Sequence, residues 1–189
     1  MLTEQQIYEN KLKYVELLTH LNVDLTDFSK FLDSVDYFNK PASMQYFRAY
    51  SGGLCQYALD LYYELAQLVN AYFPGKYTEE DVIKVALFKD IYRALLYEET
   101  EKNQLVNGSW QTVKGYKYKE ERPTFGDMGF SSYMVAKHFF EFTDEQIEAI
   151  TQADSRESYA GDIHDIMRSY PLVTLTKMAD LVAMYLEEN

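Results

Sequence analysis

The stretch Val85-Ala86-Leu87-Phe88-Lys89-Asp90 puts a Lys-Asp pair directly after a continuous apolar run. Upstream, Thr78 precedes three acidic residues at 79–81. This is an N-terminal capping signal, because acidic side chains favour the first turn of a helix. The pattern therefore predicts a helix that begins near residue 79 and extends to about Tyr97. The Lys-Asp pair inside this apolar helix is the first candidate for a functional position.

Further helices are predicted before this stretch. Apolar side chains within residues 7–18 recur at helical spacing and predict a first helix. Thr26 can cap a second, shorter helix. Gly52-Gly53 opens a long helix towards Tyr72, which Pro74-Gly75 ends.

The C-terminal part of the chain is also predicted to be mostly helical. Residues 131–142 form one helix, and Thr143 caps the next. Residues 154–162, rich in Ser, Asp and Gly, are predicted to be a loop, and Pro171 begins a last helix over 172–186. One face of that helix carries five apolar side chains: Leu175, Met178, Ala179, Val182 and Tyr185.

Residues 102–120 differ from the helical segments around them. Asn107-Gly108 is a tight-turn signal between the β-prone stretches 104–106 and 110–113. Residues 116–119 then alternate aromatic and basic side chains with a period of two. The fold class is therefore predicted to be mainly α, with a small inserted β-hairpin.

Several short strings occur in a fixed order along the chain: Pro41-Ala42-Ser43, Gly52-Gly53-Leu54, residues 85–90, Tyr170-Pro171-Leu172 and Ala179-Asp180-Leu181. In these strings the chain resembles the small HD-domain phosphohydrolase-like proteins common in bacteriophage and Firmicute genomes. The resemblance implies an HD-domain-like helical bundle, with residues 1–189 forming a single degenerate HD-like domain. Residues 1–38 would form N-terminal helices, 40–188 the HD-like core and 102–120 the inserted hairpin.

In that family, His and paired His-Asp side chains from separate helices bind a divalent metal, whose bound water attacks phosphorus. The resemblance places six metal positions on this chain: Tyr57, Lys89, Asp90, Met128, Ala153 and Asp180. Asp127 takes the place of Met128 if the register is shifted by one residue. Only Asp90 and Asp180 keep a ligand side chain, and Lys177 replaces a further family histidine. Fixed positive charge at Lys89 and Lys177 opposes metal entry. The resemblance therefore implies a pseudoenzyme with a vestigial metal site and no cofactor.

Two alternatives keep a ligand in this site. An oxygen-only site for Mg²⁺ or Mn²⁺ would use four carboxylates: Asp90, Asp127, Asp154 and Asp180. It would make the protein an active nucleotide phosphohydrolase, whereas we favour the interpretation of Asp127 and Asp154 as helix-terminal caps. The second alternative is a nucleotide-binding sensor or sponge in which Lys89 and Lys177 hold phosphate.

The chain is strongly acidic, with 18 Lys and Arg against 30 Asp and Glu and a net charge of −12. This charge disfavours direct binding to nucleic acid and suits a basic protein partner. The single cysteine, Cys55, fits a reducing compartment. The N-terminus shows no secretory signal, and no apolar run approaches the roughly 18 residues of a membrane span. We therefore expect a cytoplasmic protein that does not contact the membrane.

The 18 tyrosines suggest a recognition surface in addition to a core, because tyrosine is enriched at protein interfaces. Trp110, Tyr116 and Tyr118 of the hairpin are the candidate partner-binding residues. The resemblance implies a phage-encoded protein kept for binding a host protein. We expect a transcription inhibitor that acts in the cytoplasm of the bacterial host on sigma factor or RNA polymerase, because the DNA-binding face of a sigma factor is basic.

Overall fold

The computed structural model describes residues 1–122, 126–153 and 162–185 of the chain. Its helices, in order, are α1 (Glu4–Thr19), α2 (Thr26–Ser34), α3 (Gly53–Tyr72), α4 (Glu79–Phe88), α5 (Arg93–Leu96), α6 (Met128–Ala136), α7 (Asp144–Gln152), α8 (Asp162–Ser169) and α9 (Pro171–Tyr185). Two strands, β1 (Tyr97–Val106) and β2 (Ser109–Tyr118), form an antiparallel hairpin. The predicted fold class, a helical bundle with a small inserted hairpin, is confirmed. None of the described helices is long and apolar enough to cross a membrane.

Helix α3 lies at the centre of the bundle and packs against α1, α4 and α9. It begins as predicted, because its first turn needs a glycine. A Cβ atom at Gly53 would clash with the carbonyl oxygen of Arg48. The close approach brings the loop formed by residues 40–52 against the start of α3, where this loop becomes one wall of the site described below.

Capping boxes define the starts of α4 and α7, as predicted at Thr78 and Thr143. In α4 the partner of Thr78 is Asp81, and in α7 the partner of Thr143 is Gln146. The two boxes also contact each other, because the Gln146 amide donates to Asp81 Oδ1 at 2.7 Å. These local signals therefore also fix how the two helices meet.

The predicted extension of α4 to Tyr97 is wrong, because α4 ends at Phe88. Tighter turns follow, in which Ile91 N donates to Phe88 O at 3.3 Å and Arg93 N donates to Asp90 O at 2.9 Å. After the short α5, strand β1 begins at Tyr97, earlier than the predicted residue 102. The early end of α4 turns Lys89 and Asp90 into the core.

Other predicted boundaries also change. Leu25, rather than Thr26, is the N-cap of α2, and the Thr26 amide donates to Asp24 Oδ1 at 2.9 Å. Helix α6 ends at Ala136 and does not reach 142, whereas α8 has no counterpart among the predicted helices. The predicted end of α9 at residue 186 lies outside the described residues.

Two predicted apolar faces are only partly correct. Leu12 of α1 and Met178 of α9 are exposed, although both belong to predicted apolar stripes. Polar side chains, including Asn10 of α1 and Thr176 and Asp180 of α9, are buried instead. The bundle therefore contains more buried polar groups than a simple apolar stripe predicts.

The hairpin has a fully paired register, from Tyr97↔Tyr118 at its base to Val106↔Ser109 at its tip. Asn107 and Gly108 have φ angles of 50° and 80°, as a type I′ turn requires, so the predicted turn is confirmed. The base is buried, whereas the described side chains of residues 103–112 are exposed on both faces.

Candidate functional site

Three parts of the bundle bring polar side chains to one point in its core. Tyr57 comes from α3, Asp180 from α9, and Lys89 and Asp90 from the turn that ends α4. All four side chains are buried. Arg93 of α5 pairs with Asp90 and belongs to the same group. We call these five residues the charge cluster: Tyr57, Lys89, Asp90, Arg93 and Asp180. It contains the two surviving carboxylates of the predicted metal site and two of the residues that replace its histidines.

The ammonium group of Lys89 lies between the two carboxylates. Its Nζ atom is 2.8 Å from Asp90 Oδ2 and 3.3 Å from Asp180 Oδ1. The side chain of Lys89 is 0% exposed, so these contacts are shielded from water. A positive charge that belongs to the chain therefore occupies the space between the only two carboxylates that remain from the predicted ligand set.

The hydroxyl group of Tyr57 joins the same two carboxylates. Its Oη atom lies 3.0 Å from Asp90 Oδ2 and also hydrogen-bonds to Asp180 Oδ1. Lys89 Nζ donates a hydrogen bond to Tyr57 Oη at 3.3 Å. Because a phenol has one proton, Tyr57 can donate to only one carboxylate at a time. Its hydroxyl replaces the imidazole that the resemblance places here, and it acts as a hydrogen-bonding group.

Arg93, which the sequence analysis did not identify, completes the cluster. Its Nε atom donates to Asp90 Oδ1, and Nη1 donates to the carbonyl oxygen of Ala42 at 3.1 Å. Burial raises the pKa of Asp90, but the charges of Arg93 and Lys89 outweigh it and hold that pKa well below its usual 3.8. The spacing of three residues between Asp90 and Arg93 was the available signal in the sequence.

The charge cluster is electrically balanced and does not fit a divalent metal. Two cations, Lys89 and Arg93, match the two carboxylates of Asp90 and Asp180. Buried charges are tolerated when each is paired and hydrogen-bonded, as here. A divalent ion would need the space that the Lys89 ammonium occupies, and two like charges would repel each other there. Among residues 1–122, 126–153 and 162–185, no three His, Cys, Asp or Glu side chains form a metal-binding group.

A second buried ion pair lies elsewhere along α3. Arg48 pairs with Asp60, and its Nη2 atom donates to the carbonyl oxygen of Ala183 at 3.0 Å. Gln56 donates to Asp60 at 2.8 Å and accepts from Asn10 at 2.7 Å. This network links α1, α3 and α9 through hydrogen bonds, and the sequence analysis did not predict it.

A cleft of about 1060 Å³ lies beside the charge cluster. Arg93 and Asp180 reach its wall from the cluster, and Lys177 lines it as well. Lys89 does not line the cleft, so a phosphate held by both Lys89 and Lys177 does not fit this geometry. Aromatic side chains form much of the remaining lining: Tyr46, Phe47, Tyr97, Tyr118 and Tyr185.

The remaining predicted metal positions do not join the cluster. Met128 begins α6 and packs against the core, and Ala153 lines the cleft as a small buried side chain. Asp127 is the N-cap of α6, accepting from Phe130 N at 2.8 Å, which confirms its interpretation as a cap. Asp154 lies outside the described residues.

The three hairpin residues predicted to bind a partner differ in exposure. Trp110 is 74% exposed and pairs across the hairpin with Leu105, which is also exposed. Tyr118 is exposed at the mouth of the cleft. Tyr116 is 4% exposed and belongs to the hydrophobic core, so its side chain anchors the hairpin to the bundle.

No protein-family model, curated protein or solved structure matches the chain. The resemblance to HD-domain proteins therefore remains a prediction from the residue strings. The geometry of the site itself is that of a buried ion cluster in which two cations balance two carboxylates.

Proposed function

We propose that this chain is a non-catalytic, phage-encoded protein that binds and modulates a protein of the bacterial host. The host transcription machinery, sigma factor or RNA polymerase, is the first target to test. The observation that supports the non-catalytic part is the position of Lys89 Nζ, 2.8 Å from Asp90 and 3.3 Å from Asp180. Hydrolysis by a metal-bound water needs those carboxylates as metal ligands.

Binding to a protein is supported by the surface of the molecule. The net charge of −12 favours a partner with a basic face and disfavours the nucleic acid backbone. Trp110 and Leu105 form an exposed apolar pair at the tip of the hairpin, where no other described element covers them. Tryptophan is among the residue types enriched at the energetic centres of protein interfaces.

The direct test is a binding experiment with the tagged chain of residues 1–189. Purified sigma factor and RNA polymerase are each titrated against it, and a bacterial lysate is passed over the immobilised protein in parallel. We expect one host protein to be retained at stoichiometric yield, and retention to fall in Trp110→Ala. Tyr72→Ala, at the far end of α3, is the matched control because Tyr72 is also exposed.

A phosphatase screen with Mn²⁺ and Mg²⁺ tests the absence of catalysis. We expect no turnover of nucleotides above the rate in buffer with either metal. Metal-dependent turnover that Asp90→Ala abolishes would overturn the proposal. Recovery of no host protein in the lysate experiment, together with no binding to the two purified targets, would also overturn it.

A further inference from the structure

The rim of the cleft beside the charge cluster carries positive side chains, although the protein as a whole is acidic. Lys102 Nζ donates to the carbonyl oxygen of Met44, which lines the cleft, at 3.3 Å. Arg122 lies 4.9 Å from the ring of Tyr118, another lining residue, and donates to the carbonyl oxygen of Lys119. Carbonyl acceptors carry no net charge, so both cations keep their positive charge at the rim.

The floor of the cleft does not cancel this charge. Among the described residues that line the cleft, only Asp180 carries a carboxylate, and it is paired with Lys89 inside the balanced cluster. Arg93 is likewise paired with Asp90. The described part of the cleft therefore has a neutral floor and a positive rim, although the chain as a whole has a net charge of −12.

The residues that line the cleft suit a ligand in which polar groups surround one apolar side chain, which we call the anchor. Tyr46 at the rim is 82% exposed, and Tyr185 is also exposed. Met44 and Met184 add flexible apolar side chains that adapt to the shape of a bound group. Tyrosine and arginine are among the residue types enriched at the energetic centres of protein interfaces.

We infer that the cleft binds a peptide segment in which acidic residues flank an apolar or aromatic anchor. The anchor enters between the tyrosines, and its flanking carboxylates meet Lys102 and Arg122. The apolar anchor is essential, because the overall negative charge of the protein repels an acidic segment that has no other contact. The inference rests on the proposed function in one respect, since it takes the partner to be a protein. The acidic segment that enters the cleft is a local feature of this partner, separate from the basic face that meets the acidic surface of the chain.

The probe for the test is a short fluorescein-labelled peptide with Glu residues on both sides of one Phe. A matched peptide replaces every Glu by Lys, and oligo-dT and ATP represent the other ligand classes. By fluorescence anisotropy we expect the Glu peptide to bind and the Lys peptide to bind about tenfold or more weakly. Added salt weakens the binding of the Glu peptide because the rim charges are screened.

Two variants assign this binding to the cleft. Tyr46→Ala and Lys102→Glu each weaken the Glu peptide about tenfold. Tyr46 is largely exposed, so its replacement leaves the fold intact, as a circular dichroism melt checks. Tyr72→Ala, distant from the cleft, leaves peptide binding unchanged.

Equal affinity for the two peptides would overturn the inference, as would binding of oligo-dT or ATP without binding of the Glu peptide. Unchanged binding of the Glu peptide in both cleft variants would also overturn it. Retention of a host protein separates the two proposals. If wild type and the cleft variants retain the same host protein equally, the proposed function stands and the cleft inference fails. If the Glu peptide binds as expected but no host protein is retained, the cleft inference stands and the proposed function fails.

Discussion

The charge cluster and the distal half of the hairpin place polar and apolar groups in opposite environments. In the cluster, charged side chains such as Lys89 and Asp180 are buried, and each has a charged partner within the core. In the hairpin, residues 103–112 carry no charge at all, and their described side chains, including the apolar Trp110, face water. The cluster ties separate helices together, whereas the described side chains at the hairpin tip are exposed and the two strands pair with each other there. Changes in the cluster should therefore alter stability, and changes at the tip should alter binding.

Within the charge cluster, the largest expected effect is that of Lys89→Met. This change leaves the carboxylates of Asp90 and Asp180 facing each other without the ammonium between them, and breaking a buried pair in this way costs about 3–5 kcal/mol. Urea unfolding followed by circular dichroism measures the loss. The control is Lys13→Met on the exposed side of α1. An unfolding midpoint for Lys89→Met equal to that of the control would show that the cluster does not stabilise the fold.

Acid should remove the part of the stability that depends on Asp90. Its folded-state pKa is held below 3.8, so its contribution is fully present above about pH 5 and is lost as the pH falls through that lowered value. We expect Asp90→Asn to be less stable than wild type at neutral pH, and the difference to shrink as the solution becomes strongly acidic. Urea unfolding of both proteins across this pH range measures it. A difference that stays constant down to the acid limit would contradict the prediction.

Tyr57→Phe should have an intermediate effect. It removes the hydroxyl that contacts both carboxylates and leaves those buried acceptors with fewer donors, which costs about 1–3 kcal/mol. Tyr63→Phe on the same helix is the matched control, because Tyr63 is exposed and its change should be nearly neutral. The same urea titration compares the two. If both variants unfold at one midpoint, the Tyr57 hydroxyl contributes nothing to the cluster.

The smallest effect on stability is expected at the hairpin tip. Trp110→Ala should change the free energy of unfolding by no more than about 0.5 kcal/mol, because the side chain is largely exposed. The same variant should nevertheless lower retention of the host protein. Tyr116→Ala on the same strand should instead destabilise the fold, by about 3–5 kcal/mol, because Tyr116 lies in the core. A large loss of stability in Trp110→Ala would contradict the prediction, because it would show that the Trp110 side chain stabilises the fold.

The sequence predicted those parts of the fold that depend on a few neighbouring residues. The capping boxes at Thr78 and Thr143 and the turn at Asn107-Gly108 each satisfy local backbone groups, so the local pattern is sufficient. The end of α4 was mispredicted because the apolar pattern continues past Phe88. The helix stops there in a turn that delivers Lys89 and Asp90 to partners on other elements, and helical periodicity carries no information about those partners.

The sequence by itself determined a mainly helical chain with one hairpin, an acidic character, and the residue types at the positions where the resemblance to HD-domain proteins predicts metal ligands. Only the tertiary structure decided that Lys89 lies between Asp90 and Asp180, and that Arg93 completes the set. The physical reason is distance along the chain. Tyr57 and Asp180 are 123 positions apart, yet they share a hydrogen bond, and such a contact forms only when α3 and α9 pack together.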